Sequence, residues 1–363
     1  MTETPASPHS DLAWLPLVFG GLPHTEVAEA WEALLSRFPE IPCWPRLPRK
    51  SYLENMYTQY SERFPGITLD DGAIYVDRRK DIDRGLENLY LAYLEDDLEY
   101  GRISSAYAAA LDTLRRGDIA FQQEPLAIRG EITGPVSWGH TIVDQNHRPI
   151  LYDEVMEDAV AKHLRLKAAW QEEELARFCP RTITIVNEPY MASFGSTSIA
   201  LSSEHTIDLF EDVFASLKGL KGIYCSGATD WSVLVRTTTD LLAFDAYDYV
   251  ASLVDYAEEL GEFLARGGIL VWGIIPAGTP ARSETVESLV RRLEDGIELL
   301  AEAGIPRDAL IAQGMISPST SLAALGVELA EQVLDLTQQV SLTLRERYEP
   351  DAEPSSTPPE KDE

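Results

Sequence analysis

The chain has 363 residues, 45% of them hydrophobic and 25% charged, enough to bury a large core as one α/β barrel or two smaller domains. Its formal net charge of -30 argues against direct binding to nucleic acid or to an anionic membrane surface, because both would repel it. The three cysteines, Cys43, Cys179 and Cys225, are too scattered for a disulfide framework and point to a reducing, cytoplasmic compartment.

Residues 1–10 show neither the basic flank nor the apolar core of a signal peptide and read as a flexible N-terminus. No run of about 18 apolar residues occurs anywhere, so no membrane span is expected. "LPLVF" at 15–19 reads as the first strand. The stretch 35–120 is rich in proline and aromatic residues without a clean period, apart from a small hairpin at "LDDGAIYVDRR". It reads as a long insertion after the first strand that folds over a barrel mouth.

From there short apolar runs alternate with amphipathic stretches. "LAIRGEITG" (126–134), "TITIVNEP" (182–189), "GIYCSG" (222–227), "LLAFDAY" (241–247), "GILVWGIIP" (268–276) and "LIAQGMISP" (310–318) read as strands. Residues 153–178, 206–220 and 284–304 repeat apolar side chains every three or four positions and read as helices. Strand followed by helix implies a parallel sheet covered by helices. A single (β/α)8 barrel over 11–348 is the expected fold class, α/β, with a doubly wound open sheet as the alternative. The Pro-, Ser- and acid-rich tail at 349–363 is expected to be disordered.

A barrel builds its chemistry at the C-terminal ends of strands and in the loops that follow. That rule selects Gly20 and Gly21, the segment from Glu131, Asn187–Tyr190, the segment from Tyr224, that from Phe244, that from Trp272, and Ser317 onward. Each has a plainer role too: the glycines permit tight turns, and Asp230 before Trp231 is a ready helix N-cap.

Taken in order, "FGGLPHTEVAEAW", "PCWPRLPRKSYLENMYTQYSERFPGI", "GEITGPVSWG", "VNEPYMASFGS", "SGATDWSVLVRT", "LLAFDAYDY", "GGILVWGIIP" and "SPSTSLAALG" resemble the catalytic barrel of cobalamin-independent methionine synthase. The likeness is closest to compact members of that family, within the wider group that includes uroporphyrinogen decarboxylase. What it implies is a zinc held by a His-x-Cys pair, an acidic residue and a late Cys, binding homocysteine as a thiolate. A free thiol has a pKa of about 8.5 and only its thiolate is strongly nucleophilic. At those family positions stand Tyr224, Ser226, Asp245 and Thr320, so no metal is expected and zinc, the family cofactor, has lost most of its ligands. Cys225 lies between two of these positions and should face the other way.

By the same resemblance the amino-acid pocket maps to Gly20, Gly21 and Asn187, with His24 in reach of the mouth. Asn187 replaces an aspartate, which weakens the match to a substrate ammonium. Tyr224, Asp245, Glu188 and Asp230 remain as candidates for acid–base work. Among the other histidines, His163 and His205 are expected on helix surfaces, and His140 and His147 in hydrogen-bonding or solvent roles around a loop. Residues 144–147 lack the spacing of cobalamin-binding modules, so the chain itself should hold no corrinoid.

Three functions follow. One is a divergent methyltransferase acting on a small acceptor, ancestrally homocysteine, with a methyl donor presented by a separate corrinoid protein. The second is a metal-free decarboxylase-like enzyme using Arg46, Arg49 and Lys50 near the mouth. The third is a non-catalytic barrel that binds a small molecule or regulates a catalytic paralogue.

Overall fold

The computed structural model describes residues 9–348 apart from 71, 197 and 198. The expected flexible start therefore lies mostly outside the described residues, and the expected disordered tail wholly so.

A hairpin of β1 (Ile67–Asp70) and β2 (Ala73–Val76) pairs antiparallel, and β2 adds the short β4 (Val143–Asp144) in parallel. The main sheet is parallel and curled like half of a barrel. Its order is β3 (Ile128–Thr133), β5 (Thr182–Asn187), β6 (Leu220–Cys225), β7 (Leu241–Phe244), β8 (Ile269–Ile275) and β9 (Gly314–Pro318). All six match apolar runs in the sequence, because strands covered on both faces have no polar alternation.

Alternate side chains of these strands fall into two cores. Leu17, Phe19, Ile185, Tyr224, Val271 and Met315 pack inside the curl. Ile132, Val186, Cys225, Phe244, Trp272 and Ile316 pack outward. Helices 154–176, 203–214, 286–302 and 327–348 follow the strands in sequence.

Two extended segments continue from the ends of the sheet without forming regular strands. Pro16 makes a parallel bridge to Ile316 of β9, and Cys43 one to Arg129 of β3. Gly21 and Arg46 bridge the two segments to each other. The run at 15–19 is thus extended but not a regular strand. The stretch read as one insertion, 35–120, also contributes Cys43 and Arg46 to these bridges. Among the described residues no helix is long and apolar enough to cross a membrane.

Candidate functional site

The C-terminal ends of β6, β7 and β9 bring one group of side chains together. Tyr224 points inward, stacks on Phe19 with ring centroids 4.7 Å apart, and donates its hydroxyl to Ser319 O at 2.8 Å. Burial raises the pKa of its phenol, and the side chains of Thr320 and Ser226 and the charge of Asp245 act on the same phenol. The four positions that the resemblance assigns to zinc ligands therefore meet at one place.

Asp245 caps the short helix Ala246–Tyr249, its Oδ1 accepting from Asp248 N at 3.1 Å. Burial lifts its carboxyl to about 6, against the pull of the Asp248 and Tyr247 N–H groups. Cys225 points the opposite way, as strand alternation requires. Its Sγ donates to Gly227 O at 3.3 Å and burial pushes the thiol up to about 12, so it stays protonated at neutral pH. Among the described residues no group of three His, Cys, Asp or Glu side chains is placed to hold a metal ion. Around Tyr224 the available donors are three hydroxyls and one carboxylate.

A second group centres on Glu131, a residue to which sequence reasoning gave no role beyond its place at a strand end. Glu131 Oε1 accepts from Asn187 Nδ2 at 2.9 Å and from the Arg46 guanidinium. Its Oε2 accepts from Gly20 N and from Arg129 Nη1, both at 2.9 Å. Burial by itself would raise the pKa, but the Arg46 and Arg129 charges and the other donors outweigh it and hold the carboxyl low. The acceptor capacity of a carboxylate, about four sites, is filled.

Gly20 reaches this group because its φ of 75° is open to glycine at little cost. The neighbouring Gly21 N donates to Ser321 Oγ at 3.1 Å instead. Of the residues assigned to the amino-acid pocket, Gly20 and Asn187 thus share one partner, and Gly21 lies beside it. His24 turns away, with Nε2 3.3 Å from Glu331 of the last helix.

The remaining candidates are held by backbone. Glu188 accepts from Val136 N at 3.0 Å and from Ser137 N and Oγ at 2.9 and 2.5 Å, and burial raises it to about 7. Asp230 caps Trp231–Val235, its Oδ1 accepting from Ser232 N at 3.1 Å and Ser232 Oγ at 2.6 Å. Arg46 is buried, whereas Arg49 and Lys50 are exposed and donate to Ala324 O and Thr25 O.

His163 corrects the expectation of a surface side chain. It is fully buried, with Nε2 2.6 Å from Tyr60 O, and burial lowers its pKa to about 3. His205 is exposed as expected and lies 2.8 Å from Glu157. His140 packs against Tyr190, with ring centroids 4.6 Å apart, and His147 occupies a left-handed turn position with φ 61°. A cleft of about 510 Å³ lined by Arg165, Glu172, Thr182 and Lys218 opens at the other, N-terminal end of the strands.

The parallel sheet curled like half of a barrel is an architecture shared with other solved structures. A methyltransferase from Methanosarcina mazei superposes over 93% of this chain and 94% of its own, with a TM-score of 0.52 and 11% identity. A B12-independent methionine synthase from a Shewanella species, in complex with selenomethionine, covers 65% of this chain and 67% of its own at a TM-score of 0.43 and 14% identity. At 11% identity the Methanosarcina likeness establishes shared architecture alone. No family model and no curated protein sequence matches the chain.

Proposed function

We propose that this chain is a divergent methionine synthase-like methyltransferase that transfers one carbon to a small acceptor without a thiol-activating zinc. Its scaffold, in this reading, is a complete (β/α)8 barrel in which the bridged segments around Pro16 and Cys43 supply the remaining two strands. The observation that carries the reading is the meeting of Tyr224, Ser226, Asp245 and Thr320 at the strand ends, where the resemblance puts the ligands of a metal.

Zinc is bound by thiolate, imidazole and carboxylate, usually four ligands or three plus water. A protonated phenol, two aliphatic hydroxyls and one carboxylate do not fit that set, so no step is assigned to a metal. Asp245 takes over the activation. With its carboxyl near 6 it is mostly ionised at neutral pH and still basic enough to accept a proton. The acceptor gives its proton to Asp245 as its lone pair bonds the methyl carbon, the bond from that carbon to the donor breaks with its electron pair left on the donor, and Tyr224, Ser226 and Thr320 orient the acceptor by hydrogen bonding. The methyl donor is a separate corrinoid protein. Glu188 holds the surrounding loops rather than the reacting atoms, since both its oxygens are engaged by neighbouring N–H and O–H groups, and Asp230 caps the helix Trp231–Val235 through Oδ1. Three free, buried thiols support a cytoplasmic setting.

A second reading, a non-catalytic barrel that binds a small molecule, is favoured by the saturation of Glu131. The decarboxylase-like reading finds less support, because Arg49 and Lys50 donate to nearby main-chain carbonyls. The deciding experiment offers the protein a methylated corrinoid protein and a panel of thiol and hydroxyl acceptors, with product detected by mass spectrometry. Turnover should fall by about 10²-fold or more in Asp245→Asn, with loss of the acidic limb near pH 6. Ligand-dependent stabilisation without methyl transfer to any acceptor favours the second reading. Protein purified without chelator should carry far less than stoichiometric zinc, and tightly held stoichiometric zinc would sink the metal-free mechanism.

A further inference from the structure

We infer that the mouth binds an acceptor bearing a carboxylate or comparable anionic group and no ammonium, through Arg129, Arg46 and Ser317. The reaction assigned to that acceptor rests on the methyltransferase reading; its binding does not. Inside the curl two guanidiniums, Arg46 and Arg129, face the single carboxylate of Glu131, and all three are at most 4% exposed. Glu54, the other acid acting on Arg46, is occupied by Leu47 N and Ala109 N at 2.7 and 3.0 Å. Cys43 also acts on Arg129, but it brings a thiol rather than a second carboxylate, so two guanidiniums share one carboxylate at a place where unmatched charge is costly.

Two buried polar atoms also lack partners, Arg129 Nε in this group and Ser317 Oγ on β9. Ser317 is two residues beyond Met315 on β9 and so shares its inward face. Arg129 lies over the Phe19 ring at 5.6 Å, and the Phe19 segment is bridged to β9 through Pro16 and Ile316. Both unpartnered atoms can donate a hydrogen bond, and native interiors rarely leave such groups unused. A ligand oxygen carrying negative charge would satisfy them and balance the second guanidinium. A substrate ammonium finds the reverse, because Arg46, Arg129, Asn187 and Gly20 already occupy Glu131. Selection here is against the zwitterion as well as for the anion.

Calorimetric titration of the full chain with 3-mercaptopropionate, homocysteine and cysteamine tests this. The three share a thiol and differ in charge. The anion should bind at least about tenfold more tightly than homocysteine, and cysteamine should show no measurable binding. Arg129→Gln should erase the preference. Ser317→Ala, which removes one buried oxygen and is the milder change to the fold, should weaken the anion about fivefold. Homocysteine binding as tightly as the anion, no binding of the anion, or a folded Ser317→Ala that binds it normally would each overturn the inference. Methyl transfer is scored separately. Anion binding without turnover keeps the inference and ends the methyltransferase reading, whereas efficient methylation of homocysteine does the opposite.

Discussion

Lys167 is fully buried and donates its Nζ to Arg102 O at 2.9 Å. Burial pushes its ammonium down to about 7, Glu62 opposes this, and Arg63 adds to it. The unfolded chain keeps this proton to about 10.5, so between those values the unfolded state binds more protons and stability rises with pH. Glu188 has the opposite sign: its pKa rises from 4.5 to about 7, and the stability it holds when protonated is lost as pH climbs through that window. Melting temperatures measured from pH 7 to 9 should therefore increase for the natural protein and stay nearly level for Lys167→Met. A parallel slope in both proteins would contradict the burial argument. His163, one turn before Lys167, shows why its burial is not legible in the sequence. Their helix, 154–176, buries Lys167, Gln171, Glu172 and Glu174 as well as apolar side chains, so polarity does not mark its solvent face.

Among the elements, helix Val286–Glu302 begins with a reciprocal cap: Ser288 N donates to Thr285 Oγ1 at 3.2 Å and Thr285 N donates to Ser288 Oγ at 2.9 Å. Thr285→Ala should cost about 1 kcal/mol, read as a lower urea midpoint with an unchanged slope. The strands of the main sheet were legible because continuous burial leaves unbroken apolar runs. The segment around Cys43 was not, since "IPCWPRLP" carries three prolines and makes only single bridges in place of a ladder. In the site, the inward Tyr224 and outward Cys225 followed from alternation. The partners of Glu131 did not, because Gly20, Arg46, Arg129 and Asn187 come from separate segments that only the folded sheet brings together.

For the whole molecule, a net charge of -30 means that like charges crowd the folded surface more closely than they do the unfolded chain. Raising sodium chloride from about 0.02 to 0.2 M shortens the Debye length and should raise the melting temperature, by roughly 1 °C for each 1 kcal/mol of relieved repulsion. A falling melting temperature would mean that the surface ion pairs outweigh the excess acid. The guanidiniums of Arg46 and Arg129 are buried beneath this acidic exterior rather than exposed on it.

The bridge between Pro16 and Ile316 has a consequence for biosynthesis. Its two partners leave the ribosome on the order of tens of seconds apart. Throughout that delay the apolar stretch Leu15–Phe19 is already translated while its neighbour is not. The same holds for Trp14, whose carbonyl accepts from Ser341 Oγ at 2.7 Å in the last helix. Native closure of this bridge therefore waits for Ile316 to be made, and over that interval Leu15–Phe19 lacks its folded neighbour.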